Sequence, residues 1–135
     1  MNQELIKQVS LLKAAGNDID AQMAVIRTIQ EMTTSNDIPY LIKVLGAPDS
    51  DFWVREMLSE PIARIGGSPT LHALLEAFDP NPRDGHDNDS FEAVLIELLK
   101  REPSTSRLEL LRIKDVDPRL TILVDSLLEY CQSDK

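Results

Sequence analysis

Apolar residues recur along this chain at helical spacing, and nowhere with the two-residue alternation of a half-buried strand. The clearest run is Val54, Leu58, Ile62 and Ile65, at i, i+4, i+8 and i+11, which predicts a helix over about 51–65 closed by Gly66-Gly67. Pro61 falls inside it and is expected to kink it, because proline removes one backbone donor. The same reading places a first helix over about 3–15 (Leu5, Val9, Leu12 inward) and a second over about 19–33. The second turns Ala21, Val25, Ile29 and Met32 inward, with Asp18 as its cap. A third follows over 37–45, with Pro39 near its start, and a fifth over about 69–78, with Leu71, Leu74, Leu75 and Phe78 inward. His72, beside Leu71, reads as a half-buried spacer. The sixth helix, about 89–101, buries Phe91, Leu95, Leu98 and Leu99, and a short seventh covers about 104–113. Asp117-Pro118 starts the eighth as cap and first helical residue, ahead of Leu120, Val124, Leu127, Leu128 and Cys131. Residues 132–135 are expected to fray.

The even-numbered helices share a start signal. Asp-x-Asp precedes each of them, at Asp18/Asp20, Asp49/Asp51, Asp87/Asp89 and Asp115/Asp117. Their apolar faces begin at residues 21, 54, 91 and 120, so the spacings are 33, 37 and 29. Those values fit a helix-pair repeat of about 30-odd residues, with an insertion before the third even helix. Asp51 and Asp117 suit the cap position of the fourth and eighth helices, and Asn88 that of the sixth. The pattern Asp-x-Asp-x-x-Val-Arg, then Ile-Gly-x-x-x-x-Leu-x-x-Leu-Leu, over residues 48–75 resembles the HEAT-repeat family, in its short bacterial HEAT-like form. The expected fold is therefore all-α, a single domain over residues 1–135. It is a short right-handed solenoid of about four helical hairpins, each burying what it cannot bury alone. The resemblance further implies that Arg55 ties the start of its helix to Asp49 or Asp51.

Charge narrows the partners. The net charge is −9 and the pI about 4.6, so the surface repels nucleic-acid phosphates and anionic membranes and favours a protein with a basic surface. No apolar run approaches the ~20 residues needed to span a bilayer, and the charged first 15 residues lack the core of a signal peptide. Cys131 is the sole cysteine, which excludes an intrachain disulfide and fits a reducing cytoplasm.

Candidate chemistry is sparse. No Gly-x-Ser-x-Gly, phosphate-binding glycine loop or Cys/His metal spacing occurs, so no catalytic residue, metal or cofactor is expected. The connection from Asp79 to Asp89 holds two prolines, one glycine and four aspartates. Arg83 and Ser90 stand where a calcium loop needs ligands, so it reads as a solvated linker with at most weak cation binding. Phe52 and Trp53 stand adjacent in a chain with only six aromatics. They form either a packing contact with the neighbouring repeat or a binding anchor. Glu56, Glu60, Glu97, Asp125 and Glu129 lie off the apolar faces of the even helices. The HEAT resemblance implies that these helices line a concave surface, where the five would form an acidic ridge. The expected function is a non-catalytic protein-interaction module, an acidic scaffold or adaptor, with an inhibitor or immunity-type protein for a basic partner as one form. The alternative that the resemblance implies is an enzyme or enzyme subunit of the bilin-lyase type.

Overall fold

The computed structural model of the protein describes residues 3–15, 18–47, 52–78 and 89–131, with the backbone alone at positions 52, 53, 89 and 90. Among the described residues there are eight α-helices and no strand. They are α1 (Gln3–Ala14), α2 (Ile19–Met32), α3 (Ile38–Leu45), α4 (Phe52–Pro61), α5 (Leu71–Ala77), α6 (Asp89–Arg101), α7 (Pro103–Val116) and α8 (Thr121–Leu128). The fold is all-α, as the spacing predicts. Short 3₁₀ turns lead into α3, α5 and α8 and follow α8.

Packing sorts the helices into two rows. In one, α2 lies against α4, α4 against α6, and the turn Glu129–Cys131 against α6; in the other, α3 lies against α5 and α5 against α7. Within pairs, α1 packs on α2, α3 on α4 and α7 on α8. One apolar cluster runs through the stack, with Leu5, Ile29, Leu41, Leu58, Leu74, Leu95, Leu110 and Val124 all buried in it. Each helix hides an apolar stripe that it could not hide alone.

Most of the predicted faces are correct, and one is displaced. Val54, Leu58 and Ile62 are buried, as are Phe91, Leu95, Leu98 and Leu99, and Val124, Leu127 and Cys131. In α2, by contrast, the buried residues are Gln22, Ile26 and Ile29, with Thr33 at the end, while Ala21, Val25 and Met32 sit at the edge. Polar Gln22 and Thr33 hid this stripe from a hydrophobic count. Thr33 is tolerated inside because its hydroxyl donates to the Ile29 carbonyl at 2.6 Å. The seventh helix is also longer than expected. It continues past Ile113, itself fully buried, to Val116, although Arg112, Lys114 and Asp115 break the apolar pattern there.

Capping is more varied than a repeated aspartate suggests. Asp18 caps α2, its carboxylate accepting from the Ala21 N–H at 3.1 Å. Asp51 and Asn88, expected as caps, and Asp49 and Asp51, the alternatives expected for Arg55, lie outside the described side chains. Asp117 is not a side-chain cap. Its carboxylate turns away from the free N–H groups and accepts from Arg119 instead, at 2.9 and 3.0 Å. Before α3, Asp37 accepts from the Thr34 N–H at 2.9 Å, so the polar break at 33–36 is itself a capping turn.

The end of α4 is unlike any other. Pro61 cannot donate to the preceding turn, and the helix widens after it into a π turn over Ile62–Gly66. Gly67 follows at φ 70, ψ −159, a conformation open essentially to glycine alone. A β-carbon there would also stand 3.0 Å from Glu102 Oε2, while one on Gly66 would collide with Thr70 Cγ2. These two glycines let α5 and α6 close on the end of α4.

Candidate functional site

Alongside their buried stripes, α2, α4 and α6 hold two adjoining depressions. The one between α2 and α4, about 420 Å³, is lined by Met23, Ile26, Arg27, Gln30, Glu56, Met57, Glu60 and Val94. The other, about 160 Å³ between α4 and α6, is lined by Glu60, Ala63, Arg64, Ala93, Val94, Glu97 and Arg101. Glu60 and Val94 belong to both, so the two make one groove. Its floor is apolar and its rim is charged. Methionine on such a floor adapts to different partners, because its side chain is long, unbranched and polarizable.

The charges on the rim are balanced. Three carboxylates, Glu56, Glu60 and Glu97, face three guanidinium groups, Arg27, Arg64 and Arg101. Arg64 Nε donates to Glu60 Oε2 at 2.9 Å, and Arg101 stands 3.9 Å from Glu97. Both are i,i+4 pairs on one helix, recurring 37 residues apart, the same interval that separates Val54 from Phe91. That recurrence was present in the sequence as Glu-x-x-x-Arg. The part of the expected acidic ridge that holds Glu56, Glu60 and Glu97 thus carries three arginines as well.

The arginines also reach backwards. Arg64 Nη2 donates to the Gln30 carbonyl near the end of α2 at 2.9 Å. Arg101 Nη2 donates to the Ala63 carbonyl in the π turn at 3.0 Å. In the other row, Glu102 Oε1 accepts from the Ser68 N–H at the start of the turn into α5, at 3.2 Å. These side-chain bonds span 34, 38 and 34 residues, about one helix pair each. They join each pair to the next, and apolar spacing carries no trace of them.

The expected site residues separate into groups. Phe52 and Trp53 occupy the first turn of α4, and their side chains lie outside the described residues. Glu56, Glu60 and Glu97 come together on the groove. Asp125 is exposed on α8, where Lys114 Nζ donates to it at 2.8 Å. Glu129 lines a separate depression with Arg107, Leu111 and Leu128.

One polar cluster lies away from the groove. His72 is half-buried as expected but is a link, not a spacer: its Nε2 stands 3.2 Å from Asp117 Oδ2 and 3.8 Å from Glu76. The Arg119 hydrogen bonds, and then His72, hold the Asp117 carboxyl down at about 2. Burial pushes the Cys131 thiol up, which leaves it a poor nucleophile. Among the described residues no cluster of His, Cys, Asp and Glu could hold a metal ion. The connection from 79 to 88 lies outside them. No helix among them is long and apolar enough to cross a membrane.

The chain matches no family profile, no curated protein and no solved structure. Its own geometry must carry any functional reading.

Proposed function

We propose that this chain is a non-catalytic protein-binding module, a small HEAT-like scaffold of four helical pairs in a right-handed solenoid. Its α2–α4–α6 face receives a segment of a partner protein. One observation carries this reading. Glu60 stands where the two depressions meet, one oxygen held by Arg64 and the other, Oε1, buried with no hydrogen-bond partner among the described residues. A buried acceptor left unmade costs roughly 1–3 kcal/mol, so a partner's donor gains by drawing that oxygen out to itself, the Glu60 side chain being 36% exposed. A lysine or arginine laid across Met23, Met57 and Val94 fits both the donor requirement and the apolar floor. The net charge of −9 supports faster approach of such a basic partner, whose local contacts then meet a balanced rim. An inhibitor of a basic protein is the most specific form of this reading. The single cysteine fits a cytoplasmic setting.

The test is capture of partners by the immobilised chain, compared with Met23→Asp and Glu60→Gln. Met23 is about half exposed, so its replacement leaves the fold intact while placing a charge on the floor. Loss of the same captured protein in Met23→Asp, and at least tenfold weaker binding in Glu60→Gln, are expected. A partner retained equally by both variants places the binding surface elsewhere.

A further inference from the structure

The last helical pair ends the stack with an apolar face turned outward. Leu108 is 69% exposed and Leu111 47% on α7, and Ile122 is 86% exposed on α8. Leu111 and Leu128 line a depression of about 370 Å³, bracketed by Arg107 and Glu129.

Charge distinguishes this face from an ordinary exposed patch. On the α7–α8 pair, Arg112 is bonded to Glu109, Lys114 to Asp125 and Arg119 to Asp117. Arg107 is the one cation of the pair without an ion-pair partner among the described residues, and Glu129 is an anion without one. The two stand at the same end of the antiparallel pair, one on each side of the leucines.

We infer that this face binds a second copy of the chain. A two-fold axis running parallel to α7 and α8, and between them, turns α7 of one copy onto α8 of the other. It sets Arg107 opposite Glu129 of the second copy, Leu111 opposite Leu128, and Lys114 opposite Asp125. Each pairing then occurs twice, and the four helices form an antiparallel bundle. An arrangement in which the patch meets itself gives Arg107 and Glu129 partners of opposite sign at once. The face is small. At 1.5 Å per residue α7 is about 21 Å long, and two helices are about 20 Å wide, so the flat area is roughly 400 Å² per copy. That falls below the ~800 Å² per partner of a standard interface, and the dimer is therefore weak. This inference stands on the end of the stack and does not depend on the groove.

Sedimentation equilibrium of the full chain over about 5–500 µM tests it. The mass is expected to rise with concentration from 15.2 kDa towards twice that value. Arg107→Glu alone, Glu129→Arg alone and Leu111→Asp should each weaken dimerisation at least tenfold while keeping the helical signal. An equimolar mixture of Arg107→Glu and Glu129→Arg should dimerise again, because each reversed residue then meets an opposite charge. A chain that stays at 15.2 kDa throughout overturns the inference. So does open-ended growth beyond a dimer, or a mixture of the two charge variants that remains monomeric.

Discussion

The seam between α4 and α6 and the seam between α7 and α8 are both helix-on-helix contacts, yet polar groups close them in opposite ways. Across the first, Arg101 donates to a backbone carbonyl 38 residues away, in a turn that Pro61 has already loosened. The neighbouring Glu102 accepts from a backbone amide 34 residues away. Across the second, the bond is Lys114 to Asp125, between side chains 42% and 51% exposed. Glu102 satisfies an amide donor at the start of a helical turn, and Arg101 adds a charged donor to a carbonyl that also accepts from the Gly67 N–H. An exposed ion pair merely replaces water, and salt screens it. The interior of the stack is therefore held by its helix ends, and its last pair by its surface.

The strongest way to break this contrast is one substitution placed at both sites. Leu58 is fully buried in α4, so Leu58→Asp should destabilise by ~4 kcal/mol or more and abolish the helical circular dichroism. Ile122→Asp, on the outward side of α8, should stay within ~0.5 kcal/mol in urea melts of the monomer.

Next in size is Gly67→Ala, expected to cost ~2–3 kcal/mol through its backbone conformation and its approach to Glu102. Because the two residues touch, Gly67→Ala with Glu102→Ala should cost less than the sum of the single changes. Strict additivity in chemical denaturation would separate the glycine from the α6 contact.

Smaller again, Arg101→Met should cost ~1–2 kcal/mol and lose little of that effect at high salt. Lys114→Met should cost at most ~0.5 kcal/mol, vanishing as salt rises. Matching salt dependence in the two variants would erase the distinction between the seams.

The last comparison concerns Asp117, which joins α5 to the start of α8 and whose effect is read on the acid side. Its folded pKa of about 2 lies below the ordinary 3.8, so its contribution is fully present above the ordinary value and is lost as pH falls through about 2. Asp117→Asn should remove that acid-side decline from the urea midpoint, measured between pH 5 and pH 2. An unchanged decline would assign it to other carboxylates.

Helix positions were legible because one apolar stripe per helix is enough to bury it, as Val54/Leu58/Ile62 and Phe91/Leu95/Leu98 illustrate. The α2 stripe was not, since Gln22 and Thr33 are polar by type and buried by position. Glu56, Glu60 and Glu97 could be placed on one face from register alone. The partners of Glu60 and Glu97 were written in the sequence four residues further on, at Arg64 and Arg101. The partners of those arginines across the stack were not legible. Arg101 reaches the Ala63 carbonyl, which also accepts from the Gly67 N–H, only once α6 has packed on the π turn, and Glu102 meets Ser68 only after α5 and α6 have docked.

Cys131 gives the final turn a clock of its own. It is the sole thiol of the chain, 3% exposed and packed beneath the end of α8, so a thiol reagent reaches it only when that turn lifts away. The labelling rate, divided by that of the unfolded chain, reads the fraction of time the last pair spends open. Salt that screens Lys114 from Asp125 should speed the clock, and rising protein concentration should slow it as the second copy closes the face. One chemical rate thus follows, with no residue of the chain changed, both the loosening of the stack at its end and its closure by assembly.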